Sequence, residues 1–434
     1  MDPTAQVIAR DGFLYGMCVP WIDYHSFGRD IGRSAHLSPD RSGFTPERFR
    51  KTLYNCKAIG FNCVRVWLLD FFEGIVYDGE GRAAGLDDDF IRNVRTVTEM
   101  AHEYGLDLMM TFHAHSRHLM RNRFEEYKKY SKILFYPEHM KSYCDNCVAP
   151  LARYFSGQKH IIMLDLIAEP EGDIEGQDGN YMEYGGTWES MRALMKMMGD
   201  TCKKYAPHIP VTAASGWKWY QSLRDGRYNG IGLDYIGVDI YNNTGEMEAA
   251  GTLNCEKPVW LAEFGPYEEG AREWDDGLQT SVAVSFYDNT VKQGYVGAFF
   301  WMYGAPDAWD QLTIEDRDGR LRPAADAMRY LFIDNIRRHS GRAYEEPALT
   351  YTDDPGDLEW FACRGAASYH VERTEDLAVW TQLEIIVPAA AGQTRYRASD
   401  FTAEPGRCYR YRIAAIMDNN DVVFSATSPP CRSK

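Results

Sequence analysis

The chain has 434 residues, 45% of them hydrophobic and 25% charged, which are the proportions of a soluble globular protein. A formal net charge of −16 argues against nucleic acid or an anionic membrane as partner, because both select basic patches. No apolar run approaches the roughly 20 residues that a transmembrane helix needs.

The length suits one large α/β domain and a small second one. The opening residues, Met1-Asp-Pro-Thr-Ala-Gln-Val, lack the basic and apolar regions of a signal peptide. The chain therefore reads equally as cytoplasmic or as secreted with its signal peptide absent. The ten cysteines sit mostly in apolar contexts and are expected as buried thiols, with Cys144-x-x-Cys147 as structural filler. An aromatic content of 14% serves cores, and it also suits sites where rings stack on the apolar faces of sugars.

From Phe13 to about Phe332, short apolar runs alternate with amphipathic stretches. Phe13–Val19 reads as the first strand. Thr45-Pro46 opens a helix as N-cap and first helical residue, and Gly60 closes it. Phe61–Trp67 is the second strand. A helix over Asp87–Tyr104 follows, with Phe90, Val94, Val97 and Ala101 on one face and Gly105 as its stop. Leu106–His113 is the third strand, and a helix around Tyr143–Phe155 precedes the fourth, His160–Pro170. A helix over Thr187–Tyr205 leads to strands at Pro210–Ser215, Tyr235–Tyr241, Pro258–Glu263 and Val296–Trp301, and a last helix starts at Arg322-Pro323. Eight strands each followed by helical sequence imply a (β/α)8 TIM barrel, whose site lies at the C-terminal strand ends.

After about Glu346 the composition shifts to short period-two segments: Leu358–Phe361, Tyr369–Arg373, Leu383–Val387 and Tyr409–Ala415. The expected organisation is a barrel domain over residues 1–345 and a small all-β immunoglobulin-like sandwich over 346–434. Pro405–Ile413 resembles the tyrosine corner and following strand of fibronectin type III domains.

The predicted strand ends carry Trp21, Arg65, Trp67, His113, His115, Glu169, Trp217, Tyr241, Glu263 and Trp301. Glu169 and Glu263 stand out, each ending an apolar strand after an alanine. An unpaired carboxylate there costs several kcal/mol, so it is paired, solvated or used. A Glu standing alone at a strand end is usually an ordinary surface residue. Two of them after strands four and seven can both point into one barrel mouth. Retaining glycosidases need such a pair about 5 to 5.5 Å apart.

This set resembles glycoside hydrolase clan A, and within it the family of cellulases and β-mannanases. The resemblance spans the barrel and rests on the order of several residue types. It implies Glu169, in Ala168-Glu169-Pro170, as acid/base and Glu263, in Ala262-Glu263-Phe264-Gly265, as nucleophile. It further implies Arg65 as the brace of the nucleophile, and His113, Tyr241 and Trp301 as site residues. Asp318–Pro323 looks like the usual ending of these barrels. Two positions depart from the pattern. Ala168 stands where the clan has the Asn that bonds the sugar 2-hydroxyl, and Asp239 where the family usually has a strand-six His. Asn242 or Asn243 is the candidate compensation for Asp239.

On physical grounds Glu169 should be protonated near neutral pH, through a partly apolar site and a neighbouring carboxylate. Glu263 should be ionised beside Arg65. The bland alternatives are a structural salt bridge for Arg65 and core packing for Trp301 and Tyr241. Trp21, Tyr24, His25, Trp67, His115, Trp217, Trp219 and Trp309 are candidates for contacting substrate.

The expected function is a retaining β-glycoside hydrolase acting by a two-glutamate double displacement on β-linked mannose- or glucose-containing oligo- or polysaccharides, with a lean to β-mannosides. It implies no cofactor and no metal. Two alternatives stand beside it. Ala168 motivates a carbohydrate-binding pseudo-glycosidase of weak or no activity. His113-x-His115 motivates a metal-dependent barrel hydrolase, although strands five and six bring no further His.

Overall fold

A computed structural model of the chain describes residues 2–20, 44–69, 72, 74–115, 131–174, 186–216, 220–241, 247–266, 275–304, 312–341 and 345–433. Eight parallel strands close into a barrel: β1 (Leu14–Val19), β2 (Cys63–Trp67), β3 (Asp107–Thr111), β4 (Ile161–Ala168), β5 (Val211–Ser215), β6 (Ile236–Asp239), β7 (Val259–Phe264) and β8 (Gly297–Phe300). Each strand pairs with its neighbours in sequence and β8 returns to β1. Every residue of these strands is buried. That is why they read as continuous apolar runs instead of alternating ones.

The interior is packed, with Leu14, Met109, Met163, Trp260, Ala262 and Phe299 in one cluster. Helix α1 (Pro3–Asp11) begins on an Asp2 cap, adds Val7 to that cluster, and bonds the Thr4 hydroxyl to the carbonyl of Ile162. Because Ile162 lies at the start of β4, α1 sits at the end of the barrel away from the site.

The expected helix over Asp87–Tyr104 forms as Asp88–Tyr104, with Asp87 capping the amides of Asp89 and Phe90 and Gly105 in the left-handed conformation at φ 58°. Around Tyr143–Phe155 the chain is helical but not uniform. Helices at Pro137–Tyr143 and Ala149–Phe155 flank a π-helical turn over Cys144–Val148. Both cysteines of that turn are buried, as structural filler should be. All ten cysteines are thiols, Cys255 being half-buried and Cys408 exposed.

Residues 1–49 with 62–324 form one compact unit, and residues 50–61 with 325–434 form a second. In the second unit the chain from Ala348 to Arg432 builds antiparallel sheets. Strands Ala348–Leu349, Leu358–Phe361 and Arg395–Ala398 make one of three strands. Strands Thr381–Pro388, Ala366–Thr374, Cys408–Met417 and Val422–Phe424 make the other, with Cys431–Arg432 paired to its long member. Trp360, Tyr369, Tyr396, Tyr411 and Ile413 fill the core. Helix Pro323–Ser340 belongs to this unit through Arg329, which donates to the carbonyls of Ala58 and Glu346 at 2.6 Å each, and through the Asp334–Arg364 ion pair.

The Tyr409 hydroxyl accepts a hydrogen bond from the amide of Glu404 at 3.2 Å, so the side chain reaches back to the backbone five residues upstream. Tyr409 is 3% exposed, so removing its oxygen leaves that amide without its partner. Tyr409→Phe should cost about 1 kcal/mol. The loss should be read by urea denaturation of the full chain, in a transition reported by the C-terminal unit.

Candidate active site

The site begins with one cation. Arg65, in the middle of β2, is fully buried, and a buried charge persists only if it is paired and hydrogen-bonded. Its Nη2 lies 2.6 Å from Asp165 Oδ2, and its Nε donates to the same oxygen at 3.0 Å and to the Thr111 hydroxyl at 3.1 Å. Its Nη1 donates to the Ala262 carbonyl at 3.2 Å and to Glu263 Oε1 at 3.1 Å. The guanidinium also lies 4.4 Å from the Trp67 ring and 5.3 Å from that of Trp260. Arg65 thus ties β2 to β3, β4 and β7, and holds Glu263 by one of its two oxygens.

The other oxygen of Glu263 accepts from the Tyr241 hydroxyl at 2.9 Å. Trp301, which follows β8, is 8% exposed and meets the edge of Trp67 at 5.7 Å and 81°. Trp67 is only 2% exposed, so it supports Trp301 and Arg65 from beneath. Five residues singled out at strand ends, Arg65, Trp67, Tyr241, Glu263 and Trp301, therefore form one continuous arrangement.

Glu169 stands just past β4 with φ at 54°, the left-handed region that costs a non-glycine residue about 1 kcal/mol or more. Its amide donates to the Ala214 carbonyl on β5 at 2.8 Å, and its own carbonyl accepts from Gly172 at 2.9 Å, so both sides of the strained residue are tied. Glu169 Oε2 lies 3.2 Å from His115 Nε2. A Cβ on Gly216 would stand 2.0 Å from Glu169 Oε1, so only glycine after β5 leaves room for the carboxyl where it is.

Two residues further on, Glu171 is fully buried. It accepts from the Ser215 hydroxyl at 2.7 Å, the Tyr228 hydroxyl at 2.8 Å and the Gly216 amide at 3.1 Å. Glu171 fastens the turn that carries Glu169 to the loop that makes room for it. Asp165, Glu171 and Gly216 are site-building residues that the strand-end reading passed over. Asp165 did carry a signal, being a charge in the middle of an apolar run.

Ala168 is 1% exposed and lies in register between Ala214 of β5 and Ala114, which follows β3. Three alanines thus stand side by side where the family resemblance placed an asparagine.

The two histidines diverge. His113 is 3% exposed, stacks on Phe72 at 4.8 Å and turns Nδ1 toward the Leu69 carbonyl at 3.5 Å; burial pushes it down to about 4, so it is a neutral imidazole. His115 turns to Glu169 instead. Among the described residues no cluster joins His113 and His115 with a third metal-ligating side chain. Trp21, Tyr24, His25, Trp217, Trp219, Asn242, Asn243 and Trp309 lie outside the described residues.

Glu169, Asp239 and Glu263 each place a carboxylate oxygen within 4.8 Å of the other two. Burial and the charge of Glu169 raise Glu263 to about 8, against the pull of Arg65 and Tyr241. Burial, then the charges of Glu263 and Glu169, raise Asp239 well above the carboxylate range. Burial also pushes Glu169 upward, but His115, the approach of Asp239 and the charge of Arg65 outweigh it and leave Glu169 below its ordinary value. This differs from the expectation of a protonated Glu169 beside an ionised Glu263. The physical reason is the neighbours: Glu169 faces an imidazole, and Asp239 adds a third carboxyl that takes up proton affinity. Interacting carboxyls lose their protons as a set, so the three groups titrate together and not one by one.

Removing the cation should be costly. Arg65→Leu leaves Asp165 and Glu263 buried without their counter-ion, and a loss of about 3–5 kcal/mol is expected in chemical denaturation. An unchanged midpoint would show that the network contributes nothing to the fold.

No family model matches the sequence. A mannan endo-1,4-β-mannosidase of Mytilus edulis is 25% identical over 166 residues, 38% of this chain, and the chain spans 41% of that relative's length. The structure of a β-mannanase from the same mussel superposes with a TM-score of 0.54 at 18% identity, covering 74% of this chain and 91% of that one. A Streptomyces cattleya enzyme in complex with Manβ1-4GlcNAc gives a TM-score of 0.55 at 14% identity, over 76% and 82% of the two chains. The β-mannanase of Cryptopygus antarcticus gives 0.53 at 17%, over 74% and 90%. The structural likenesses concern the fold, and the sequence match covers 166 residues: the chain has an eight-stranded parallel barrel like that of these β-mannanases, followed by antiparallel β-sheets, and part of it is similar in sequence to one of them.

Proposed function

We propose that the protein is a retaining β-glycoside hydrolase, with Glu263 as nucleophile and Glu169 as acid/base, acting on β-mannosidic linkages of oligo- or polysaccharides. The observation that carries this reading is the approach of Glu169 and Glu263, with oxygens within 4.8 Å of each other in the barrel mouth. Double displacement requires carboxyls about 5 to 5.5 Å apart, whereas inversion needs roughly 6.5–9.5 Å to admit a water. Arg65 and Tyr241 engage Glu263 as a nucleophile requires: they favour the ionised form and aim its oxygens. The lean to mannosides rests on the mussel relative's activity and on Ala168, which has no side chain to bond a 2-hydroxyl.

Residues 1–345 are proposed as the catalytic domain and 346–434 as an accessory domain of fibronectin type III kind. The two-sheet arrangement and the Tyr409 corner support the second assignment. The compact units differ from this division in giving residues 50–61 and most of the last helix to the C-terminal unit.

Incubation with p-nitrophenyl β-mannoside, β-glucoside and β-N-acetylglucosaminide tests the activity and the sugar. Glu263→Ala and Glu169→Ala should each abolish turnover of the accepted glycoside. Azide should restore deglycosylation in the Glu169 variant and yield a β-glycosyl azide. Full activity in either variant would sink the two-carboxylate mechanism, and no turnover of any sugar would favour a binding-only protein. Gly216→Ala should leave the fold intact but displace Glu169, lowering kcat/KM on the same glycoside by about 100-fold. Unaltered kinetics would mean that Glu169 tolerates the shift.

A further inference from the structure

Asp239 ends β6 inside the site, is 1% exposed, and neither of its carboxyl oxygens meets a hydrogen-bond donor among the described residues. A buried carboxylate with no donor costs several kcal/mol. What it faces explains how that cost is avoided. Cys18 acts on it from β1, Arg65 from β2, Glu169 from β4, Tyr228 from beyond β5, Tyr241 from beyond β6 and Glu263 from β7, and His115, from beyond β3, faces its neighbour Glu169. Arg65 already gives its donors to Asp165, Thr111, Ala262 and Glu263. Among the described residues the group left for Asp239 to bond is a second carboxyl, and two carboxyls bond only through a proton.

We propose that Asp239 is the positioning partner of Glu169, the two carboxyls sharing one proton in the resting site. This rests on the retaining reading and assigns that site a third acid. In the first half-reaction Glu263 bonds to the anomeric carbon, the bond from that carbon to the glycosidic oxygen breaks, and the shared proton moves to the departing oxygen. In the second, water attacks the same carbon, its proton returns to the pair, and the bond to Glu263 breaks to regenerate the carboxylate. Bookkeeping of charge shows what the arrangement achieves. In the protonation state that reacts the pair carries −1 and Glu263 −1; in the covalent intermediate the pair carries −2 and the esterified Glu263 none. The cluster holds the same net charge throughout, so a low-dielectric site with one guanidinium never meets an extra charge. Burial and the charges of Glu263 and Glu169 hold Asp239 well above its ordinary value, which favours a protonated carboxyl at that position.

The test compares Asp239→Asn with Asp239→Glu, using the aryl glycoside the enzyme accepts. A general acid must be loaded, so activity falls as pH rises through the value at which the pair loses its proton. Replacing Asp239 by Asn removes a like charge and offers Glu169 an amide donor; both favour ionised Glu169, so the alkaline limb of kcat/KM should move down by about one pH unit or more. Asp239→Glu should leave the limb in place. An independent arm needs no substrate: infrared spectra in a Glu263→Gln background should show a protonated-carboxyl stretch at neutral pH, absent once Asp239→Asn is added. An unmoved limb in Asp239→Asn, or a stretch that persists in the double variant, overturns the proposal. If Glu169→Ala and Glu263→Ala are inactive at the same time, the glycosidase reading stands without it. If those two variants stay active, the glycosidase reading itself is what fails.

Discussion

A single guanidinium is the constraint on which the barrel mouth depends. Arg65 is a permanent positive charge in the interior of a closed sheet, and its donors are satisfied by groups from β3, β4 and β7. Those strands must keep their mutual register for the bonds to persist, so the electrostatic requirement and the barrel closure enforce one another. Trp67 and Trp260 cover its faces, lowering the local dielectric and strengthening each ionic contact. The chemistry is built on the edge of this structure. Glu263 takes one bond from Arg65, one from Tyr241, and has 7% of its side chain exposed.

Glu169 is held by a different kind of constraint. Its strained backbone, the glycine opposite it and the buried Glu171 beneath it form a mechanical seat with little charge compensation beyond His115. One carboxyl is therefore fixed by a cation and the other by shape. That division keeps both near each other without pairing both to the same guanidinium, and leaves their proton affinities to be set by the carboxyls around them.

The barrel was legible because its strands are buried on both faces and therefore read as uninterrupted apolar runs, with carboxylates, rings and Arg65 falling at their C-terminal ends. Glu169, Glu263, Arg65, Tyr241 and Trp301 could be found that way because strand ends converge whatever the loops do. The π-helical turn at Cys144–Val148 could not, since its side chains keep a helical pattern while the backbone bonds shift by one residue. Gly216 and Glu171 were hidden for another reason. Their roles depend on which atom of a neighbouring strand lies opposite, and periodicity carries no such information. The proton order of Glu169 and Glu263 was likewise set by His115 and Asp239, whose approach only the folded geometry reveals.

Ala114, just past β3, Ala168 of β4 and Ala214 of β5 lie abreast in register. Their consequence is chemical. Side chains that end in a methyl group neither give nor take a hydrogen bond, so this row offers a sugar hydroxyl no polar partner, and recognition there falls to the groups around it.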